Sequence, residues 1–165
     1  IELLKRAYTT YVRPILEYST CVWSPYLLRD INKLESVQRY FTRRLFYGQS
    51  LSYKERLFLL NLESLESRRL KNDLKMYFKI THGLDKNFEP SKFFIICPRE
   101  DSRTGHCYTI RKHLFSSIHL FNSISNRAVD CWNSLSKEMV NSRSYAGFCQ
   151  HIRGLDLTKF LRGMP

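Results

Sequence analysis

Apolar residues recur every three or four positions through the first half of the chain, and this spacing constrains the fold more than any other sequence feature. It predicts an amphipathic helix over residues 3–22, kinked beside Pro14, which has no N–H to donate in a helix interior. A second helix is predicted from Asp30, an acid suited to a first turn, to about Tyr47, and Gly48 is suited to end it. The sequence therefore begins with two long amphipathic helices.

Two further helices are predicted from their capping residues. Ser52 and Glu55 form a capping box ahead of a leucine-rich run, which indicates a short third helix ending near Asn61. Ser64 is suited to cap a fourth helix, and Gly83 is suited to end it. We expect these four helices to pack together as a bundle.

The helical spacing fails over residues 85–117. Within this stretch an apolar run at 93–96 predicts either a short strand or a packed loop. Tyr108 and Ile110, with alternating polar neighbours, predict a second short strand. We expect an irregular middle with two short strands.

Helical spacing returns over residues 118–135 and, more weakly, from Ser144 onwards. The predicted fold is therefore mainly α: a helical bundle, an irregular middle with possible short strands, and a second small helical block. The corresponding domain boundaries are 1–84, 85–117 and 118–165. The pattern is already under way at Ile1, so we expect the chain to be a piece of a larger protein.

The charge of the chain indicates its class of partner. There are 27 lysines and arginines against 15 acidic residues, a net charge of +12, which favours binding to a polyanion such as nucleic acid. No apolar run approaches the roughly 20 residues that span a bilayer, so we expect no membrane partner. Five cysteines without regular spacing argue against a disulfide framework and predict a reducing compartment, nucleus or cytoplasm.

The second predicted helix carries its charge on one side. At about 100° per residue, one side is apolar and the opposite side is basic. The apolar side comprises Ile31, Leu34, Val37, Phe41 and Leu45, and the basic side comprises Arg29, Lys33, Arg39 and Arg43, with Arg44 between the two. Asp30 and Glu35 lie outside the basic sector, so we expect them to leave it unneutralised.

The fourth predicted helix repeats this design. Arg68, Lys71, Lys75 and Lys79 step by three or four residues beside an apolar face of Leu70, Leu74 and Phe78. Basic helix faces are often ordinary solvated surface, but the net charge shifts our interpretation toward phosphate binding. Tyr40 and Tyr47 lie among the cations, where they are suited to stack on bases or sugars.

Several catalytic and metal chemistries were weighed against the sequence. Two-metal nucleotidyl transfer needs clustered carboxylates, and no paired aspartates of the polymerase kind occur. Cys97, His106, Cys107 and His113 have poor spacing for zinc, because two ligands are adjacent and no C-x2-C pair is present. Neither a phosphate-binding glycine loop nor a local Cys/His nucleophile motif is present. We therefore predict no catalytic residue, no metal and no cofactor in this chain, and we expect Trp132 to be a core anchor.

A series of segments resembles the region downstream of the polymerase active site in LINE-class (non-LTR) retrotransposon reverse transcriptases, particularly the jockey-like group. The segments are 11–18 (YVRPILEY), 22–26 (VWSPY), 30–39 (DINKLESVQR), 51–57 (LSYKERL), 65–70 (LESRRL), 77–83 (YFKITHG), 126–129 (NRAV) and 132–135 (WNSL). The resemblance touches nearly the whole chain and is strongest before Gly83. Ser136 stands where such proteins commonly have proline.

The resemblance implies that this chain is the thumb and post-thumb region of an RNA-directed DNA polymerase. The fingers and palm, whose aspartates would hold Mg²⁺, would lie upstream and would be partners of this region. In such enzymes the thumb holds an RNA–DNA hybrid and the following segment docks the element RNA, so RNA and RNA–DNA hybrid are the implied ligands.

Two interpretations of the function remain open. In the first, Arg29, Lys33, Arg39, Arg43, Arg44, Arg68, Lys71, Lys75 and Lys79 bind backbone phosphates. In the second, the chain is a structural module whose apolar stripes pack on the palm, and it should then expose apolar patches. A decayed copy or a host-retained fragment without activity is a further alternative.

Overall fold

The computed structural model describes residues 1–86, 88–97 and 106–163. The chain is mainly helical, which confirms the predicted fold class. It divides into two compact units: unit 1 comprises residues 1–69 and the tail from Leu161, and unit 2 comprises residues 70–160. The division at 84 and 117 that we drew from the sequence stays a prediction.

The elements follow one another in a simple order. They are α1 (Glu2–Ala7), a π-helix (Tyr8–Val12), α2 (Arg13–Glu17), α3 (Thr20–Trp23), α4 (Leu28–Leu45), α5 (Tyr53–Leu59), α6 (Leu65–Thr81), α7 (Pro90–Phe93), β1 (Ile95–Ile96), β2 (Ile110–Arg111), α8 (Ile118–Phe121), α9 (Ile124–Arg127), α10 (Val129–Asn133), α11 (Lys137–Val140), α12 (Tyr145–Arg153) and a 3₁₀ turn (Thr158–Phe160).

The predicted first helix is interrupted twice. The turn before Pro14 is π-helical, because proline has no N–H for the carbonyl of Thr10 and its ring crowds that carbonyl. Pro14 thus follows an interruption of the regular α-helix, and the kink itself stays a prediction. A second break follows at Ser19, whose φ is 53°, so the prediction of one continuous helix to residue 22 was wrong.

The apolar stripe of this N-terminal segment faces solvent. Of its members, only Tyr8 is buried among the described residues. Tyr11, Tyr18 and Val22 are 74%, 79% and 81% exposed. The periodicity identified a helical face, but in the part of unit 1 that the structure describes most of that face is exposed.

The three following helices agree with their predicted signals. Asp30 lies in the first turn of α4, and α5 has the complete capping box of Ser52 and Glu55. Ser64 accepts a hydrogen bond from Ser67 N at the start of α6. Gly83, with φ of 61°, ends α6 in the left-handed conformation that glycine adopts without strain.

The interior of unit 1 is polar to an unusual degree. The buried side of α4 carries Ile31, Glu35, Gln38 and Thr42, three of which are polar. Gln38 accepts from Tyr8 Oη at 3.0 Å and donates to Tyr53 Oη at 3.0 Å and to the Glu63 carbonyl at 2.9 Å. Buried polar groups need such partners, and here they hold α4 in a fixed rotation.

Glu35 connects α4 to the start of α6. Its carboxylate accepts hydrogen bonds from Leu65 N at 3.1 Å, from Glu66 N at 3.3 Å and from Tyr53 Oη at 2.5 Å. The first N–H groups of a helix have no partner within the helix and favour a nearby negative charge. Glu35 supplies both the missing hydrogen-bond acceptor and the negative charge, which accounts for a carboxylate in a buried position.

The tail completes unit 1. Glu66 accepts from the backbone N–H groups of Arg162 and Gly163 at 2.8 and 3.0 Å. A Cβ on Gly163 would lie 2.7 Å from Ile31 Cγ2, so only glycine fits against α4 here. The tail thus covers one flank of α4.

Unit 2 has an apolar and aromatic core. The fully buried members include Tyr77 and Phe78 of α6 together with Phe94, Trp132 and Phe148. The prediction that Trp132 is a core anchor is confirmed, and its indole N–H donates to the Tyr108 carbonyl at 2.8 Å.

The middle of the chain contributes to this core. β1 and β2 form a short strand in each of the two predicted stretches, and they pair antiparallel with Ile96 opposite Ile110, a pairing that was not predicted. The single helical spacing over 118–135 instead forms three short helices, α8 to α10. Ser136 stands where the proteins that this chain resembles commonly have proline. It caps α11 by accepting a hydrogen bond from Met139 N at 3.3 Å.

Candidate nucleic-acid interface

The solvent-facing side of α4 brings several predicted residues together. We define the outer face as Arg29, Lys33, Tyr40, Arg43 and Arg44, with Tyr47 in the turn after the helix; all six are exposed. At 100° per residue, the five helical members fall within about a third of a turn around the axis. The outer face is therefore one continuous stripe.

The cations of the outer face differ in their partners. Lys33 and Arg43 form no ion pair within the described ranges. Arg44 Nε donates to Tyr40 Oη at 3.1 Å, and its guanidinium carbon lies 5.4 Å from the centre of that ring. Arg29 pairs with Asp30 at 3.3 Å, so the expectation that Asp30 leaves the basic side of the helix unneutralised is wrong for Arg29. Such an exposed pair is weak, about 0–1 kcal/mol.

Arg39, which the sequence grouped with these cations, lies on a flank of α4. It is half-buried, its guanidinium lies 5.2 Å from the ring centre of Tyr53, and its terminal nitrogen is 3.5 Å from the Gly163 carbonyl. The tail and Tyr53 therefore partly cover it. The sequence spacing placed Arg39 at the edge of the basic sector, and only the fold decided that this edge is enclosed.

Arg68 of α6 is engaged inside unit 1. Its guanidinium forms two hydrogen bonds to the carboxylate of Glu17, which also lies 3.9 Å from Arg13. The hydrogen bond to Glu17 raises the pKa of Arg68, whereas burial and then the neighbouring Arg68 charge lower the pKa of Arg13. Arg13 thus lies beside Glu17, one turn before it in the chain. Arg68 is therefore poorly placed for a phosphate.

The lysines of α6 also have partners within unit 2. Lys71 is buried, 7% exposed, and its Nζ donates to the Arg153 carbonyl at 2.8 Å. Lys75 Nζ donates to Asn72 Oδ1 at 3.4 Å, and Lys79 Nζ lies 4.7 Å from the ring centre of Tyr145. The predicted second basic stripe is thus largely occupied by internal contacts.

The described residues contain no group of three or more histidine, cysteine or acidic side chains that could hold a metal ion. His106 Nε2 lies 3.2 Å from the Trp132 carbonyl, and Cys107 Sγ lies 3.4 Å from Asn141 Oδ1, so both take part in local packing. In the same ranges, none of the helices has the length and apolar character required to cross a bilayer.

Sequence reasoning missed the residues that decide which cations are available. Glu17, Glu35 and Glu66 each bind groups inside unit 1. A signal for Glu35 was present, because Ile31, Glu35, Gln38 and Thr42 are spaced four, three and four residues apart and share one helix face. Glu17 lies four residues after Arg13, a spacing that favours their pairing, but nothing in the sequence indicated its pairing with Arg68, and Glu66 carried no comparable signal.

The chain is similar to one curated protein in part of its length. "Uncharacterized protein B0403.1" of Caenorhabditis elegans is 30% identical to this chain over 86 residues. The aligned region covers 50% of this chain and 43% of that protein, so the chain spans less than half of the length of this relative. No protein-family model matches the chain, and no solved structure matches it.

Proposed function

We propose that this chain is a nucleic-acid-binding module that grips RNA or an RNA–DNA hybrid through backbone phosphates. The observation that carries the proposal is the outer face of α4, where Lys33, Arg43 and Arg44 are exposed and no carboxylate pairs with them among the described residues. Clustered cations gain affinity for a polyanion by releasing its counterions. The net charge of +12 supports the same conclusion.

The resemblance extends the proposal to a parent protein. On that basis the chain is the thumb and post-thumb part of a LINE-class RNA-directed DNA polymerase, and the upstream palm supplies the carboxylates that hold Mg²⁺. Phosphate contacts position a duplex without reading its sequence, which suits a stripe of lysine and arginine. We accordingly propose that this region binds nucleic acid and does not itself polymerise.

The test is binding of a labelled RNA–DNA hybrid over a series of salt concentrations. We expect the logarithm of affinity to fall steeply with the logarithm of salt, and little dependence on base sequence. The triple variant Lys33→Gln, Arg43→Gln, Arg44→Gln should lower the slope by about three and weaken binding roughly a hundredfold.

The control variant removes the same number of charges from residues outside the outer face. Lys54, Lys137 and Arg143 are exposed and lie outside the outer face, so the triple variant Lys54→Gln, Lys137→Gln, Arg143→Gln removes three charges as well. We expect this control to weaken binding far less. Equal losses in the two triple variants, or a wild-type slope near zero, would contradict the proposal.

A second candidate function is favoured by the exposed N-terminal segment. Ile15 and Val22 are large apolar side chains that are 75% and 81% exposed, and the resemblance places the palm directly before this segment. As a packing module the chain would self-associate alone and show no salt-dependent binding. Size-exclusion chromatography with and without hybrid, on wild type and on the Ile15→Gln, Val22→Gln variant, separates this candidate from the first.

A further inference from the structure

Two tyrosines of the outer face lie among its cations with their rings exposed to solvent. Tyr40 is 61% exposed and Tyr47 is 85% exposed. Tyr8 and Tyr77, in contrast, are buried, and their hydroxyl groups donate to protein acceptors. A ring left in water contributes little to folding, so the two exposed rings are available to a ligand.

The ring of Tyr40 is also held in place. Arg44 Nε donates to the Tyr40 hydroxyl, and the Arg44 guanidinium lies 5.4 Å from the ring centre. A cation near a ring face is attracted by the π electrons, which reduces the number of rotamers that the exposed ring samples. A ring that is already ordered loses less entropy when a base stacks on it.

The spacing of the outer face suits a strand whose bases are open. α4 rises about 1.5 Å per residue, so Lys33 and Arg43 are roughly 15 Å apart along the axis, with Tyr40 between them. Within a duplex the base faces are covered by neighbouring bases, and only the phosphates, the sugars and the base edges in the grooves are accessible along its length. An unpaired strand presents phosphates and base faces together.

We propose that the outer face binds an unpaired strand of nucleic acid, with bases stacked on Tyr40 and Tyr47 and phosphates on Lys33, Arg43 and Arg44. This inference rests on the proposed function and specifies the form of nucleic acid that the same surface takes. Stacking tolerates any base, because every base has a π face, so the site has little sequence preference.

The experiment compares three ligands that share one length and label. They are an unpaired strand, the same strand annealed to its complement, and an abasic strand that keeps the phosphates but lacks the bases. Wild type should bind the unpaired strand tightest, roughly ten- to a hundredfold tighter than the abasic strand. RNA and DNA versions should agree within roughly threefold, because stacking does not involve the 2′-hydroxyl.

The variants separate stacking from charge. Tyr40→Ala with Tyr47→Ala should weaken binding of the unpaired strand by roughly ten- to a hundredfold and change binding of the abasic strand and the duplex by less than about twofold. Tyr40→Phe with Tyr47→Phe should restore most of the affinity, since the ring is kept. The matched control is Tyr11→Ala with Tyr18→Ala, because these rings are equally exposed but lie outside the outer face.

The outcomes distinguish this inference from the proposed function. Equal affinity for unpaired, abasic and paired ligands, still weakened by the Lys33, Arg43 and Arg44 changes, would overturn stacking and leave phosphate binding in place. Equal losses in the Tyr40/Tyr47 and Tyr11/Tyr18 variants would overturn it as well. A failure of every ligand to bind in a salt-dependent way would contradict the proposed function itself.

Discussion

Helices α4 and α6 have the same sequence pattern but different surfaces. Each has basic residues every three or four positions beside an apolar face. In α4 the cations Lys33, Arg43 and Arg44 are exposed, whereas in α6 Arg68 binds Glu17 and Lys71 is buried against the Arg153 carbonyl. A basic stripe is therefore available to a ligand only where the fold leaves its cations exposed.

The inner faces of the two helices differ as well. α4 presents Glu35, Gln38 and Thr42 to the interior of unit 1, and α6 presents Tyr77 and Phe78 to the core of unit 2. The inner face of α4 is thus held mainly by directed hydrogen bonds and that of α6 mainly by apolar and aromatic packing. This difference can be tested, because Trp23 lies in unit 1 and Trp132 in unit 2, and each reports the unfolding of its own unit.

The largest expected effect is that of Glu35→Gln. The change removes the charge that accepts from Leu65 N, Glu66 N and Tyr53 Oη, and it should lower the free energy of unfolding by about 3 kcal/mol. Denaturant unfolding followed by the fluorescence of Trp23 in a Trp132→Phe background measures it. Asp30→Asn on the exposed first turn is the control, and a loss of similar size there would show that the position of Glu35 is unimportant.

A smaller loss of stability distinguishes the basic stripe of α6 from that of α4. Arg68→Gln removes the partner of Glu17 and should destabilise unit 1 by about 1–2 kcal/mol, a value reduced because the pair is partly exposed. Arg43→Gln should change the free energy of unfolding by less than about 0.5 kcal/mol. A double-mutant cycle with Glu17→Gln isolates the pair. The contrast between the helices fails if Arg43→Gln is as destabilising as Arg68→Gln.

Lys71→Met and Lys33→Met form a matched pair with opposite consequences. Lys71→Met removes a charge-assisted hydrogen bond to the Arg153 carbonyl and should cost about 1 kcal/mol of stability, with nucleic-acid affinity unchanged. Lys33→Met should leave stability unchanged and weaken binding. Thermal unfolding and hybrid binding, measured on both variants, check the prediction. Weaker hybrid binding by Lys71→Met would contradict it and would show that Lys71 contributes to binding.

The smallest effect concerns pH. Burial lowers the pKa of His82 and His106 below the usual 6.5, so folding favours their neutral forms. Their contribution to stability is fully present above pH 6.5 and is lost as pH falls from there through the lower folded values. All five histidines lie in unit 2, so acid should weaken that unit first.

Unit 1 responds to acid at lower pH. Hydrogen bonds from Ser52 lower the pKa of Glu55 below 4.5, so its contribution is lost only as pH falls below that value. Between pH 6.5 and 4.5, Trp132 fluorescence should therefore report a falling midpoint of thermal unfolding while Trp23 fluorescence does not. His106→Gln should reduce this dependence, and the exposed His151→Gln should leave it unchanged.

Local sequence signals predicted local structure well. The capping box of Ser52 and Glu55 depends on residues three positions apart, and the end of α6 at Gly83 depends on one residue and its neighbours. The short strand at Ile110 also agreed with its alternating pattern. Each of these features is decided by a short stretch of chain.

The partner that each charged side chain binds could not be predicted from local sequence signals. Glu17 and Arg68 are 51 positions apart, and Lys71 and Arg153 are 82 positions apart. The sequence gives the angle of a side chain around its helix but not the acceptor that the fold brings to it. The exposure of Tyr11 and Val22 on an apolar stripe has the same origin, since packing partners come from elsewhere in the fold.

The tail that completes unit 1 has a consequence for biosynthesis. Glu66 leaves the ribosome long before Arg162 and Gly163, whose N–H groups it binds, because all of unit 2 is translated between them. At about 5–20 residues per second this interval lasts roughly 5–19 s. During that time Ile31 and Arg39 lack their cover, so the nascent chain completes its first unit only after the second has emerged.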